Sequence, residues 1–222
     1  GVHWRELSPF TVGGIMEAAR AEALERSAAF AAAPLFLLSI SLGSMVAIDW
    51  AQRFPDELAG VVLINTSLAG LSPAYRRLRW RILPEMLIIA RERDVARREA
   101  GILRLTSNAQ PFRRELIDAR VQADRRHPVS GRTLLRQLWA AARFRPSLEK
   151  PRVPVLLLSG QGDRMVSPRC TEDLAELWNL EPRRHPTAGH DLPLDDPDWT
   201  IDSVQQWLSG TPGAGSCPQR VT

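Results

Sequence analysis

Cysteine is scarce in this sequence: Cys170 and Cys217 are the only two, they lie far apart, and the second sits in a polar tail. That pattern excludes a disulfide framework and a structural zinc site, and it fits a reducing, cytoplasmic setting. No apolar run approaches the ~20 residues a membrane-spanning helix needs, so no span is expected. Lysine is nearly missing too, since every basic residue except Lys150 is an arginine. Aromatic residues amount to 6%. In the basic stretch they are Tyr75, Trp80, Phe112, Trp139 and Phe144, scattered rather than interleaved with the arginines, and no nucleic-acid surface is expected from them. No internal repeat is visible. The chain opens on Gly1 rather than methionine, so its natural N-terminus is expected upstream, and the lack of a signal peptide carries no weight.

What is present is the composition of a globular protein. Of 222 residues, 44% are hydrophobic and 24% charged, which suits one domain with a real core, or a domain carrying an insertion. The formal balance of +4 hides an uneven distribution. Residues 76–145 hold 18 arginines against seven acids, a local balance of +11, and the remainder of the chain stands at −7. Two structural units are therefore expected. Pairs at helical spacing, such as Glu92 with Arg93 and Arg97 or Arg114 with Asp118, are expected to hold part of that charge on solvated helix faces. The surplus also suits an acidic substrate or an acidic partner.

Hydrophobic patterning supplies the elements. Ser8-Pro9 with Thr11 opens an alanine- and glutamate-rich helix from Ile15 to about Ala32, ended by Pro34. Leu35-Phe36-Leu37-Leu38 reads as a strand covered on both faces. Gly43 to Arg53 reads as a helix with Met45, Val46, Ile48, Ala51 and Phe54 inward, stopped by Pro55. Val61 to Ile64 is a second buried strand. This order predicts an α/β fold with a mostly parallel sheet. Residues 68–148 carry no strand signal, and their apolar spacing (Leu83, Met86, Leu87, Ala90; Leu134, Leu135, Leu138, Trp139, Ala142) is helical. The sheet resumes with Val153 to Leu158. Ser167-Pro168 predicts the cap and first position of a helix to about Trp178. A short strand is expected at Arg183–His185, a last helix from Asp196-Pro197 to Leu208, and a flexible tail over 210–222.

The chemistry concentrates where strands end. In Ser39-Ile40-Ser41-Leu42-Gly43-Ser44 a buried strand runs into a helix with serine at the turn, the pattern of a nucleophile elbow. There the Leu42 amide would face an oxyanion. A serine needs a base and an orienting acid, and both follow in the order Ser, Asp, His. Asp163 comes after the third strand in Gly160-Gln161-Gly162-Asp163, and His190 lies in Gly189-His190-Asp191. Each candidate stands between a strand and a helix, which brings all three to one sheet edge. Plainer readings remain beside these: Ser41 as a helix cap, Asp163 as a turn former, His190 as a structural loop histidine. His3, His127 and His185 are weaker bases by position, and Asp191, Asp195 and Asp196 weaker orienting acids. The Gly160-x-Gly162 pair lacks the third glycine and the immediate helix of a dinucleotide loop.

Taken together, Ser39 to Ala47, Arg53 to Asn65, Pro154 to Pro168 and Ala188 to Pro193 resemble the α/β-hydrolase superfamily of lipases, esterases and proline-aminopeptidase-like enzymes. The resemblance covers residues 1–65 and 151–210. It implies Ser41 as nucleophile, His190 as base, Asp163 as orienting acid and the Leu42 amide as one oxyanion donor, with no metal and no cofactor. The family pattern has glycine where this chain has Ser39. It also has an N-terminal half-sheet with a His-Gly loop giving a second oxyanion amide. The chain is thus expected to be N-terminally truncated, with Leu35–Leu38 left as an apolar edge. Serine at 41, in place of aspartate, speaks against a haloalkane dehalogenase.

The expected organisation is a hydrolase core at 1–67, an arginine-rich helical cap at 68–148, core again at 149–209, and the tail. The expected function is cleavage of a small-molecule carboxylic ester or thioester through an acyl-enzyme, with an acidic carrier protein as a partner suited to the arginines. The alternatives are a truncated or non-catalytic hydrolase-fold protein that binds a ligand or partner, and an acyltransferase on the same scaffold.

Overall fold

The computed structural model describes residues 6–26, 34–109 and 113–211. The first helix, α1, runs Val12–Arg26, and the stretch expected to continue it to Ala32 lies outside the described residues. So do Phe112, Cys217 and the tail beyond Thr211. Among the described residues four strands follow in chain order: β1 Leu35–Ile40, β2 Leu58–Ile64, β3 Val155–Gly160 and β4 Arg183–His185. They form one parallel sheet in the order β1-β2-β3-β4. Register pairs Leu37 with Val61, and Val61 in turn with Val155. Parallel strands demand crossovers, and helices α2 (Leu42–Arg53) and α8 (Arg169–Trp178) supply two of them.

The core forms on both faces of this sheet. On one, Met16 of α1, Ile48 and Trp50 of α2, and Leu174 and Trp178 of α8 pack on Val61, Leu63 and Leu157. On the other, Val62, Ile64, Leu156 and Leu158 meet Ala188, Leu192 and, at the margin, Trp199 and Trp207. These last belong to α9 (Leu192–Asp195), α10 (Pro197–Ser209) and the loop before them. Each fully buried leucine or isoleucine contributes ~1.5–3 kcal/mol by leaving water. α2 buries Ser44, Met45, Ala47, Ile48, Trp50 and Ala51, and stops before Phe54-Pro55 because proline cannot continue the ladder.

Several details depart from the sequence reading. β1 is not covered on both faces. Among the described residues it is the sheet's edge: Phe36 and Leu38 are exposed (Leu38 at 55%), while Leu35 and Leu37 reach the core on one face and Ile40 on the other. β3 lies two residues later than expected because Pro154, without an N–H, precedes the ladder. Pro168 rather than Ser167 holds the cap position of α8, and no side chain caps that helix.

Between β2 and β3 lie α3 (Ala74–Arg77), α4 (Leu83–Arg91), α5 (Val95–Thr106), α6 (Arg114–Arg126) and α7 (Gly131–Arg143). α5 packs between α4 and α6, and α7 returns onto α1 and α2. The apolar stripes at helical spacing turn outward. α7 buries Ala140 and leaves Leu134, Leu135, Leu138 and Trp139 exposed, Leu135 at 68%. The expected pairs within helices do not form among the described residues. Arg98 instead meets Asp124 at 2.7 Å, and Arg120 meets Glu99 at 3.1 Å, both between α5 and α6. Glu92 lies past the end of α4, where its carboxylate accepts from the Asp94 amide, so it shares no helix with Arg97.

Candidate active site

Ser41 stands at the junction of β1 and α2 with φ 54° and ψ −118°, a backbone conformation that L-residues rarely adopt. Such a residue costs ~1–3 kcal/mol and persists only where its surroundings hold it. Its amide donates to the Ile64 carbonyl at 2.9 Å, and its carbonyl accepts from the Ser44 amide at 3.0 Å and the Thr66 hydroxyl at 3.2 Å. Buried Ser44 adds a clamp, donating to the Ser39 carbonyl at 2.9 Å and accepting from the Ile64 amide at 3.2 Å. A Cβ at Gly43 would stand 3.8 Å from the Ser39 Cβ, so the two small flanking residues face each other across the elbow. The Ser39 hydroxyl turns into the sheet and donates to the Val62 carbonyl at 2.9 Å. The Leu42 amide, first of α2, has no acceptor among the described residues, as the first turn of a helix dictates.

Asp163 and His190 meet. The Asp163 carboxylate is 1% exposed and His190 7%, and Oδ2 lies 2.7 Å from His190 Nδ1. The other carboxylate oxygen, Oδ1, accepts from the Met165 amide at 2.7 Å and the Val166 amide at 3.0 Å. An acid so engaged is an acceptor at both oxygens, which assigns the proton to Nδ1 and leaves Nε2 of the neutral ring free to accept one. Arg79 donates to the Asp163 carbonyl at 2.9 Å and so fixes the loop from α3's side. No hydrogen bond joins the Ser41 hydroxyl to the imidazole among the described residues. What relates the two is Asn65-Thr66: Thr66 holds the Ser41 carbonyl, and Asn65 the His190 carbonyl.

The remaining titratable groups nearby fall into other roles. His185 Nε2 lies 3.1 Å from Asp196, and its Nδ1 accepts from the Ala188 amide at 2.8 Å. Asp196 caps α10 by accepting from the Trp199 amide, which together with the His185 ring holds its carboxyl below the usual range. Burial pushes the Asp191 carboxyl up, against the pull of Arg120 and His190. No group of three or more His, Cys, Asp or Glu side chains is arranged to hold a metal ion among the described residues.

Two residues escaped the sequence reading. Asn65 sits at the end of β2 with φ 48°, a position asparagine tolerates, and its side chain reaches both neighbouring loops. Asparagine closing a buried run was the available signal. Asp195, set aside as a weaker orienting acid, accepts from the Gly189 amide at 2.6 Å and from Ser107, Asn108 and Ala109 at the end of α5. No local signal marks it, because its partners are remote in sequence.

Comparison with known proteins places the chain among hydrolases. Residues 18–196 match the family described as serine aminopeptidase, S33. No curated protein matches the chain by sequence. Among solved structures, the enol-lactonase of Burkholderia xenovorans LB400 superposes with a TM-score of 0.69 at 18% identity, over 92% of this chain and 75% of that one. A hydrolase from Pseudomonas aeruginosa PA01 gives 0.69 at 19% identity, over 91% and 74%. A thermophilic esterase from Thermogutta terrifontis gives 0.60 at 22% identity, over 90% and 73%.

Proposed function

Because the chain belongs to the serine aminopeptidase S33 family, within the α/β-hydrolase superfamily, we propose that this hydrolase cleaves a small-molecule carboxylic ester or thioester through an acyl-enzyme on Ser41. The observation that carries the reading is the buried 2.7 Å contact between Asp163 and His190, at the same sheet edge as the strained Ser41. Solved structures of an esterase and an enol-lactonase with the same fold favour an ester over an amide substrate.

Ser41 Oγ attacks the carbonyl carbon while His190 Nε2 takes its proton. The electron pair of the carbonyl moves to oxygen, and the Leu42 amide donates to that oxyanion. Collapse re-forms the carbonyl and expels the alkoxide or thiolate, which leaves with the proton from His190. Water then attacks the acyl carbon, His190 taking its proton, and collapse releases the acid while His190 returns that proton to Ser41 Oγ. Asp163 holds the ring with Nδ1 protonated and offsets the imidazolium charge that forms at each attack.

Helices α3–α7 are the cap of this reading, and their arginines suit an acyl group presented by an acidic carrier protein. Cys170, buried and with its thiol pushed up to about 11 by that burial, has the character of an unreactive core residue, in keeping with a cytoplasmic setting.

Treatment with a fluorophosphonate, with the adduct located by peptide mass, tests the proposal. An adduct on Ser41, absent in Ser41→Ala, is expected. A folded chain that takes no adduct would overturn the catalytic reading and leave a hydrolase-fold protein that binds its ligand without cleaving it.

A further inference from the structure

We propose that Asp195 is a positioning residue that locks the His190 loop to the C-terminal end of α5, so that the helical segment between β2 and β3 sets where the imidazole stands. The inference rests on the reading of Ser41, Asp163 and His190 as a triad.

Asp195 ends the four-residue helix α9, just beyond His190. Both its oxygens are loaded. Oδ2 accepts from the Gly189 amide at 2.6 Å and the Asn108 amide at 3.0 Å. Oδ1 accepts from the buried Ser107 hydroxyl, from the Asn108 amide at 3.1 Å and from the Ala109 amide at 3.2 Å. One carboxylate thus bridges the residue before His190 and three consecutive residues that follow α5. Charged acceptors make hydrogen bonds roughly twice as strong as neutral ones, so this bridge resists separation.

The residue after His190 is held by the same segment. The Asp191 amide donates to the Thr106 carbonyl at 2.9 Å. The Asn108 carboxamide adds bonds to the Thr187 carbonyl at 2.8 Å and the Gly162 carbonyl at 3.1 Å, catching the loops of both His190 and Asp163. Contact is close enough that a Cβ on Gly189 would fall 2.7 Å from the Thr106 carbonyl oxygen. His190 is therefore pinned on either side of its own residue by 106–109. Asp195 itself makes no hydrogen bond to the imidazole. It acts through the Gly189 amide.

Asp195→Asn is the test, since it keeps the size and turns one acceptor oxygen into an NH2 that faces N–H donors. Three readouts are taken on the full chain: the fluorophosphonate labelling rate at Ser41, the downfield proton resonance of His190 Nδ1–H, and amide hydrogen exchange. Labelling is expected to slow by about 10²-fold, the scale of a ~1 Å misplacement in an active site. The His190 resonance is expected to broaden or vanish, and exchange to rise together in 106–109 and 187–191. A folded variant that labels at the wild-type rate, or keeps a sharp His190 resonance, overturns the proposal. Should the wild type take no label, the triad reading falls, while the resonance and the exchange still decide whether Asp195 ties the two segments. Should Asp195→Asn not fold, Ser107→Ala decides by the same readouts, with exchange rising in both segments expected and a rise confined to 106–109 overturning the link.

Discussion

The Asn65 side-chain amide donates to the His190 carbonyl at 2.9 Å and to the Gly189 carbonyl at 3.1 Å, while its oxygen accepts from the Gly160 amide at 2.9 Å. One buried carboxamide just beyond β2 thus joins the end of β3 to the loop after β4. Asn65→Ala removes all three bonds, strands buried backbone groups, and puts a Cβ-bearing residue without a compensating side chain at φ 48°. A loss of about 2–3 kcal/mol is expected, read as a lower urea midpoint. Asn65→Gly relieves the backbone cost but not the missing bonds, so it is expected to recover only part of the loss. Full recovery in the glycine variant would mean that the conformation, not the bridge, is what asparagine supplies.

Asp163 does two jobs with separate oxygens, and substitution can separate them. In Asp163→Asn, Oδ1 still accepts from the Met165 and Val166 amides. The NH2 that replaces Oδ2 forces His190 Nδ1 to accept, which sends the ring proton to Nε2, where it blocks removal of the Ser41 proton. Labelling of Ser41 is expected to fall by about 10⁴-fold with stability changed by about 1 kcal/mol. Asp163→Ala loses the turn as well, and a clear fall in the thermal midpoint is expected only there.

Gly160, the last residue of β3, and Gly162 lead the chain into Asp163. Neither has a positive φ. They are empty space: a Cβ at Gly160 would lie 2.5 Å from the Ala188 carbonyl oxygen, and one at Gly162 would lie 2.3 Å from that of Thr187. Alanine at either position is expected to push the His190 loop off Asp163, costing about 1–3 kcal/mol and slowing Ser41 labelling. Gly131, with nothing within 4 Å of its Cβ site, is the control. Gly131→Ala is expected to raise stability by about 0.5 kcal/mol with labelling unchanged.

What the sequence made legible has a common physical basis. Val61 to Ile64 and Leu156 to Leu158 are unbroken apolar runs because strands covered on both faces need no polar side. Ser41 and Asp163 stand out because each follows such a run at a turn, and His190 because it lies in a glycine-bearing loop between a short strand and a helix. Leu35 to Leu38 follows the same rule and misleads, since on its outer face Phe36 meets Trp207 edge to face but Leu38 stays exposed. The outward stripe of α7 misleads for a similar reason: periodicity finds a face but cannot say which way it turns. The bridges made by Asn65 and Asp195 were out of reach, because they join segments that only the folded sheet edge brings together. The charge pairing of α5 with α6 is tertiary in the same sense.

Acid stability has an identifiable source in Glu57. Its carboxylate accepts from Arg20 Nε at 2.8 Å and Trp50 Nε1 at 2.9 Å, tying α1 and α2 to the turn that opens β2. The Arg20 hydrogen bonds, above all, hold this carboxyl below the usual glutamate range despite partial burial. A depressed folded value means the unfolded chain binds the proton first. The contribution is therefore complete above the ordinary value of about 4.3 and is lost as pH falls through the lower, folded one. Asp191 works with the opposite sign, because burial raises its carboxyl, so its protonation in acid favours the fold. Glu57→Gln is expected to lower the thermal midpoint at pH 7 and to leave a shallower fall between pH 5 and 3. Asp191→Asn is expected to raise the midpoint at pH 7 and to lose that advantage toward pH 3. Midpoints taken across this range on the three proteins decide both signs, and parallel curves would assign the acid limb to other carboxylates.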